Sequence, residues 1–149
     1  MVKLRHVEYA SNSLEETLAI AKEIGRDLSG GEVLALYGDL GAGKTAFTQG
    51  LASGLGIKDG VNSPTFGIIK IHSSKKRKLI LCHIDAYRLL NERDLLGLGV
   101  EDYLSKPRTI TVIEWADRVE NLLPNNTIRI FIKNKSLNNR SINIKQYQV

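Results

Sequence analysis

The sequence predicts an α/β domain whose central sheet is largely parallel and carries some antiparallel additions. Segments with apolar residues at helical spacing alternate along the chain with short runs of β-branched and other apolar residues. No internal repeat or long linker interrupts this order. The 149 residues are enough for one domain with a proper core. We therefore expect a single domain over residues 1–149.

The first 31 residues predict an edge strand followed by a helix. Leu4–Tyr9 is expected to be the strand. Ser13 is expected to begin the helix, with Glu16 three residues later completing a capping box, and residues 29–31 should end it. The apolar residues that should face the core are Leu14, Leu18, Ala21, Ile24 and Leu28.

The remaining elements follow a second predicted helix, Ala46–Ala52. Phe66–Ile71 and Leu79–Ile84 predict a strand pair around the basic run Lys75–Lys78, which is expected to be a solvated turn. Asn91–Leu98 is expected to be helical. Three more runs predict strands: Thr109–Ile113, Ile128–Ile132 and Ser141–Ile144.

Residues 38–45, Gly-Asp-Leu-Gly-Ala-Gly-Lys-Thr, match the sequence motif of a phosphate-binding loop. The loop follows the apolar run Val33–Tyr37 and opens into a helical segment, as this motif requires. Its glycines let the backbone curl around phosphate oxygens, at the positive end of the helix. Lys44 would reach the β- and γ-phosphates and Thr45 would ligate Mg²⁺. We therefore expect a three-layer, P-loop NTPase-like domain that binds its nucleotide through Gly38, Asp39, Leu40, Gly41, Ala42, Gly43, Lys44, Thr45 and Ala46.

Two acids lie at the ends of predicted strands. Asp85 follows Leu79–Ile84, and Glu114 follows Thr109–Ile113. Ligands of α/β sheets bind beyond the carboxyl ends of the strands. A triphosphate with Mg²⁺ needs a carboxylate near the metal and a group that orients the attacking water. We expect both acids near the nucleotide as catalytic and metal-binding groups, with their separate roles unassigned; alternatively, each caps the following turn or helix.

The segment Ser63-Pro64-Thr65-Phe66 lies where GTPases and related enzymes often keep a mobile sensor of the γ-phosphate. Pro64 biases Ser63 toward an extended conformation, and such a segment could present Thr65 to the phosphate or to Mg²⁺. On the residues alone, an ordinary connecting turn is favoured.

Net charge, apolar runs and cysteine content indicate which partners and which compartment to expect. The net charge of +5 permits an acidic partner such as RNA, but no recognisable RNA-binding module accompanies it. No apolar run has the length of a transmembrane helix, and the N-terminus lacks the apolar core of a signal peptide. The single cysteine, Cys82, cannot form an internal disulfide and is expected in a buried strand. We expect a cytoplasmic protein.

Four segments together resemble, in order and spacing, the signatures of the bacterial tRNA threonylcarbamoyladenosine biosynthesis ATPases, called TsaE or YjeE. They are the loop at 38–45, Ser63-Pro64-Thr65-Phe66, His83-Ile84-Asp85-Ala86-Tyr87-Arg88 and Ile113-Glu114-Trp115. The loop alone is shared by many families, whereas this combination is specific. The resemblance covers most of the chain, with a weaker match around Arg140.

The resemblance implies a small ATPase that uses ATP and Mg²⁺ beside a larger threonylcarbamoyl transferase and that enzyme's inactive paralogue. Together they modify the adenosine next to certain tRNA anticodons, so tRNA would be met indirectly through the complex. The isolated ATPase would be weak and partner-dependent. Docking is expected around Ser63–Phe66 and Tyr87-Arg88.

The resemblance also implies residue roles. Lys44 would hold phosphates, Thr45 and Glu114 would hold Mg²⁺, and Asp85 would support metal or water. Asn139 departs from the family's usual glycine, which leaves a C-terminal contact to the base open. Three further residues are implied to lie at the nucleotide: Thr65, Trp115 and Arg140.

Two other function classes stay open. A small nucleoside or nucleotide kinase also combines a phosphate loop with an Asp and an Arg at a strand end, although Leu89–Lys106 offers no arginine-rich lid. A GTPase-like switch would need an Asn-Lys-x-Asp motif, and Asn134-Lys135 is followed by Ser136-Leu137. Phosphate transfer to an added nucleoside would identify a kinase, and a preference for guanine would identify a GTPase.

Overall fold

The computed structural model describes residues 3–58, 60–62 and 68–148. The strands in these ranges are β1 (Lys3–Ser11), β2 (Val33–Tyr37), β3 (Ile69–Ser74), β4 (Leu79–Asp85), β5 (Thr109–Glu114), β6 (Ile128–Asn134) and β7 (Arg140–Gln148). The α-helices are α1 (Leu14–Asp27), α2 (Lys44–Gly54) and α3 (Glu92–Leu96), and 3₁₀ turns span Val100–Asp102 and Ala116–Leu122. None of the helices in the described ranges has the length and apolar character that crossing a bilayer requires.

The strands form one sheet in the order β1-β7-β6-β2-β5-β4-β3. The central strands β6, β2, β5 and β4 run parallel to one another. Antiparallel pairs extend the sheet at both sides, through β7 and β1 at one side and β3 at the other. The predicted α/β class, with a largely parallel centre and antiparallel additions, is confirmed.

The strand β2 lies between two cores. Successive residues of a strand point to opposite faces of the sheet. Leu34 and Leu36 pack with apolar residues of α1 and α2, whereas Val33 and Ala35 pack with the segments after β4 and β5. The first core includes Ala21, Phe47, Leu51, Leu55 and Ile130, and the second includes Cys82, Leu89, Leu95, Val100 and Val119. Helical layers on both faces produce the three-layer arrangement.

Helix α1 begins where the sequence predicts, with a small change in its cap. The Ser13 hydroxyl oxygen accepts from the backbone N–H of Glu16 at 3.1 Å. The Glu16 carboxylate accepts from the N–H of Asn12 at 2.6 Å, one residue before the position that a capping box predicts. The prediction that Leu14 faces the core is wrong. Leu14 is 59% exposed, because the first turn of α1 borders a small surface cavity rather than the sheet.

The basic turn between β3 and β4 is solvated only in part. Its lysines are exposed, but Arg77 reaches the carbonyl oxygens of Gly25 at 2.9 Å, Gly54 at 3.1 Å and also Leu28. The last carbonyls of a helix lack partners within the helix, and the guanidinium provides donors for the ends of both α1 and α2. The prediction of a solvated turn is therefore wrong for Arg77.

Candidate nucleotide-binding site

The phosphate-loop sequence connects the end of β2 to the start of α2. Gly43 precedes α2 with φ 109° and ψ 20°, a left-handed conformation that a side chain would strain. At Gly38, a Cβ would lie 2.6 Å from the carbonyl oxygen of Ile132, so the loop passes too close to β6 for a larger residue. Glycine is therefore needed at one position for its conformation and at the other for space.

Lys44 lies inside the curve of the loop and is only 5% exposed. Its Nζ donates to the carbonyl oxygens of Gly38 at 2.5 Å and Asp39 at 2.9 Å. The same nitrogen is 3.9 Å from the centroid of the Trp115 ring. Burial lowers the pKa of Lys44, and the charge of Glu114 opposes this shift. The ammonium group is thus held at the loop by carbonyl oxygens and an aromatic face.

Glu114 lies at the end of β5 and is 3% exposed. Its Oε1 accepts from the Thr45 hydroxyl at 3.1 Å. Its Oε2 is 2.5 Å from Nε2 of His83, which is fully buried on the neighbouring strand β4. The structure therefore brings Glu114 to the first turn of α2, and its role at the nucleotide stays a prediction.

Asp85 lies beside Glu114 because β4 and β5 are parallel and these two residues are paired in register. Its Oδ1 accepts from the backbone N–H of Tyr87 at 3.0 Å, so the carboxylate also supports the turn after β4. Asp85 and Glu114 both border the same cavity. The structure places the two acids side by side at this cavity, and Asp85 also supports the turn, whereas their proximity to a nucleotide stays a prediction.

A cavity of about 450 Å³ joins these groups. Most of the predicted site residues line it, and Trp115 closes one side by packing its ring on Tyr87 at a centroid distance of 4.9 Å. The lining residues are Leu40, Gly41, Gly43, Lys44, Thr45, Ala46, Ile68, Asp85, Tyr87, Arg88, Glu114 and Trp115. The nucleotide role of Thr65 remains a prediction, since that residue lies outside the described ranges.

Arg140 contacts the other side of the loop. Its Nε donates to the carbonyl oxygen of Ala42 at 3.1 Å. Both residues border a second cavity of about 130 Å³, which also touches Gly43, Ala46 and Leu137. Arg140 therefore contacts the loop from β7. Arg140 and Ala42 are 98 residues apart in sequence, so motif spacing alone does not predict this contact.

No role for His83 was predicted from the sequence, although this residue contacts Glu114 in the structure. The pattern that could have identified it is its position two residues before Asp85 on a predicted strand, which places both side chains on one face of the sheet. Arg118 was also missed. Its guanidinium lies 5.5 Å from the centroid of the Tyr87 ring, at the outer side of the aromatic pair.

Comparison with known proteins identifies the family. The model described as "Threonylcarbamoyl adenosine biosynthesis protein TsaE" matches residues 11–142. The chain belongs to the TsaE family. The family to which the sequence motifs pointed is thereby confirmed.

Individual TsaE proteins agree with this assignment over most of their length. A Bacillus subtilis protein named "tRNA threonylcarbamoyladenosine biosynthesis protein TsaE" is 42% identical over 139 residues, covering 93% of this chain and 85% of that protein. The Treponema pallidum protein of the same name is 37% identical, covering 90% of this chain and 96% of that protein. The crystal structure of Bacillus subtilis YdiB superposes with a TM-score of 0.81 at 36% identity, covering 97% of this chain and 87% of that one.

Proposed function

We propose that this TsaE-family chain is an ATPase that uses Mg²⁺ and acts in tRNA threonylcarbamoyladenosine biosynthesis. The observation that carries the proposal is the meeting of Lys44, Thr45 and Glu114 around one cavity at the carboxyl ends of parallel strands. The names of the relatives supply the pathway.

The cavity fits a nucleoside triphosphate with Mg²⁺. A Cβ added to Gly41 or Gly43 would meet no atom within 4 Å, so the loop backbone is open where phosphates would lie. The first turn of α2 contributes backbone N–H groups at the positive end of the helix dipole. The volume of about 450 Å³ is within the usual range for small-molecule sites. The hard oxygen donors of Thr45, Asp85 and Glu114 suit Mg²⁺.

Each of these side chains has a distinct task in the proposed reaction. Lys44 would exchange loop carbonyls for phosphate oxygens and hold them by charge-assisted hydrogen bonds. The Thr45 hydroxyl donates a hydrogen bond to Glu114, which leaves the lone pairs of the Thr45 oxygen for the metal. Asp85, beside Glu114, would orient metal-bound or attacking water. Bound Mg²⁺ would offset the negative charge of the phosphate oxygens.

We further propose that the chain works in the cytoplasm with the threonylcarbamoyl transferase and its inactive paralogue, and that tRNA meets it through this complex. Large apolar side chains support a docking role for the rim of the cavity. Leu40 and Tyr87 are exposed there, and Leu90 follows in the same segment after β4. A nucleoside or nucleotide kinase is the alternative, and transfer of phosphate to an added nucleoside would favour it.

The first prediction tests the nucleotide site. Lys44→Ala should weaken ATP binding about 10- to 100-fold, because a charge-assisted contact contributes on the order of 1.5–3 kcal/mol. Isothermal titration calorimetry in Mg²⁺ measures this, and circular dichroism confirms that the variant is folded. The matched control is Lys75→Ala, which removes an exposed lysine of the β3–β4 turn. Unchanged ATP affinity in folded Lys44→Ala would refute the proposed site.

A further inference from the structure

The pair formed by His83 and Glu114 is a buried polar contact to which the proposed mechanism assigns no task. His83 is fully buried and Glu114 nearly so. His83 lies outside the set of described residues that line the cavity, whereas Glu114 belongs to it. His83 therefore contacts the site through Glu114 and has no exposed surface from which to touch a nucleotide.

The Glu114 carboxylate receives a separate partner at each oxygen. Thr45 donates to Oε1 at 3.1 Å, and Nε2 of His83 lies 2.5 Å from Oε2. A carboxylate turns freely about its last bond unless both oxygens are engaged. With Thr45 on one side and His83 on the other, the plane of the Glu114 carboxylate is fixed.

The surroundings of His83 also select the position of its proton. Among the described residues, none forms a hydrogen bond with Nδ1 of His83, which is buried. A carboxylate oxygen accepts hydrogen bonds, so the contact with Glu114 uses a hydrogen on Nε2 of the ring. The contact therefore assigns a hydrogen to Nε2 of His83.

We propose that His83 is the positioning residue for Glu114. It donates its Nε2 hydrogen to Oε2 and thereby keeps Oε1 directed at Thr45, in the arrangement that the magnesium site requires. This inference rests on the proposed function. Groups that orient metal-binding side chains typically change metal affinity or activity 10- to 100-fold when removed.

Two substitutions at His83 separate positioning from packing. His83→Leu fills the space without a donor, and His83→Gln places an amide N–H close to the position of Nε2. The matched control is Cys82→Ala, which alters the residue before His83 on β4, in the core on the other face of the sheet. Calorimetry measures ATP affinity with EDTA and with Mg²⁺, and turnover is followed as Mg²⁺ is raised.

The leucine variant should bind ATP in EDTA within about twofold of the unsubstituted chain, yet need about tenfold more Mg²⁺ for half-maximal turnover. The glutamine variant should recover most of this loss, and Cys82→Ala should keep the original Mg²⁺ dependence. An unchanged Mg²⁺ dependence in His83→Leu, or a folded glutamine variant as impaired as the leucine variant, would overturn the inference.

A measurement on the unsubstituted chain keeps the test independent of variant folding. Nuclear magnetic resonance of ¹⁵N-labelled histidine should show a hydrogen on Nε2 of His83, with a signal that moves in Glu114→Gln. A proton on Nδ1 instead would overturn the inference and leave the proposed function standing. Absence of ATP binding by the unsubstituted chain would overturn the proposed function and the inference together.

Discussion

Lys44 and Glu114 bring opposite charges into a part of the molecule that water barely reaches. Burial disfavours the charged form of Lys44 and lowers its pKa, while Glu114 favours that form. The ammonium nevertheless makes its hydrogen bonds to loop carbonyls of Gly38 and Asp39, whose partial charges neutralise it only in part. An anionic phosphate is a stronger partner than these carbonyls and would replace them in the proposed function.

The second prediction concerns the two acids. Glu114→Ala and Asp85→Ala should each lower ATP turnover about 10- to 100-fold, because each removes a carboxylate that would hold or orient the metal and its water. ATP binding should survive, since Lys44 and the loop backbone remain. A phosphate-release assay measures turnover, and calorimetry measures binding. Turnover at the original rate in both folded variants would mean that these acids serve only local structure.

The third prediction uses Trp115. Its ring lies 3.9 Å from Nζ of Lys44 and packs on Tyr87, so movement of Lys44 toward phosphate would change its surroundings. Tryptophan fluorescence should therefore change saturably on addition of ADP or ATP. It should stay nearly constant in Lys44→Ala at matched saturation. Calorimetry fixes the saturating concentration, and a flat titration of the unsubstituted chain there would place Trp115 outside the responsive site.

Arg77 acts between elements, since it joins the β3–β4 turn to the ends of α1 and α2. Its guanidinium donates to carbonyl oxygens of Gly25, Leu28 and Gly54. The helices meet there at glycines: a Cβ added to Gly54 would come within 3.0 Å of the Cα of Gly25. The arginine therefore supports a closely packed helix pair at the end opposite the phosphate loop.

The fourth prediction follows from this contact. Arg77→Ala should lower the free energy of unfolding by about 2 kcal/mol, because hydrogen bonds from charged donors contribute on the order of 1.5–3 kcal/mol and water replaces some of them. Lys76→Ala, in the same turn but exposed, should change it by less than about 0.5 kcal/mol. Urea unfolding measures both. Equal stability of the two variants would show that the Arg77 contacts contribute nothing.

Elements set by local sequence were predictable, whereas the contacts of Arg77 and His83 with other elements were not. The conformation of the loop from Gly38 to Thr45 depends on glycines within the loop itself, and the Ser13 cap begins α1. Arg77 looked like part of a charged turn because its partners, the helix ends, are more than 20 residues away in sequence. His83 was missed for the same reason: its partner Glu114 belongs to a strand that is paired only in the folded chain.

The order of the strands in the sheet differs from their order along the chain, so the order of the elements alone does not specify it. β1 pairs with β7, joining Lys3 to Gln148 across nearly the full chain, and the loop-bearing β2 lies between β6 and β5. This order places the ends of β2, β5 and β4 side by side, which is where the cavity forms. The acids were assigned to this edge because parallel strands share their carboxyl ends.

The turn after β4 forms part of the rim of the cavity and exposes large side chains. Leu90 is 87% exposed, in the turn that follows Asp85 and Tyr87. Tyr87 and Arg88 line the cavity and are themselves exposed. A protein docked on this turn would touch residues that also border the cavity. Such contact offers a direct route by which partners would complete the site and raise turnover.

The fifth prediction is that the isolated chain hydrolyses ATP slowly and that its transferase partners accelerate it through this rim. Leu90→Ser removes an exposed apolar side chain without touching the cavity lining, so basal turnover and ATP affinity should stay unchanged. Stimulation by a subsaturating concentration of the cognate threonylcarbamoyl transferase pair should fall about tenfold, since burial of a leucine side chain contributes about 1.5–3 kcal/mol. Tyr147→Ser, an exposed aromatic on β7, is the matched control and should retain full stimulation. Equal stimulation of both variants would place the partner on another surface, and rapid turnover that the partners leave unchanged would identify a self-contained enzyme.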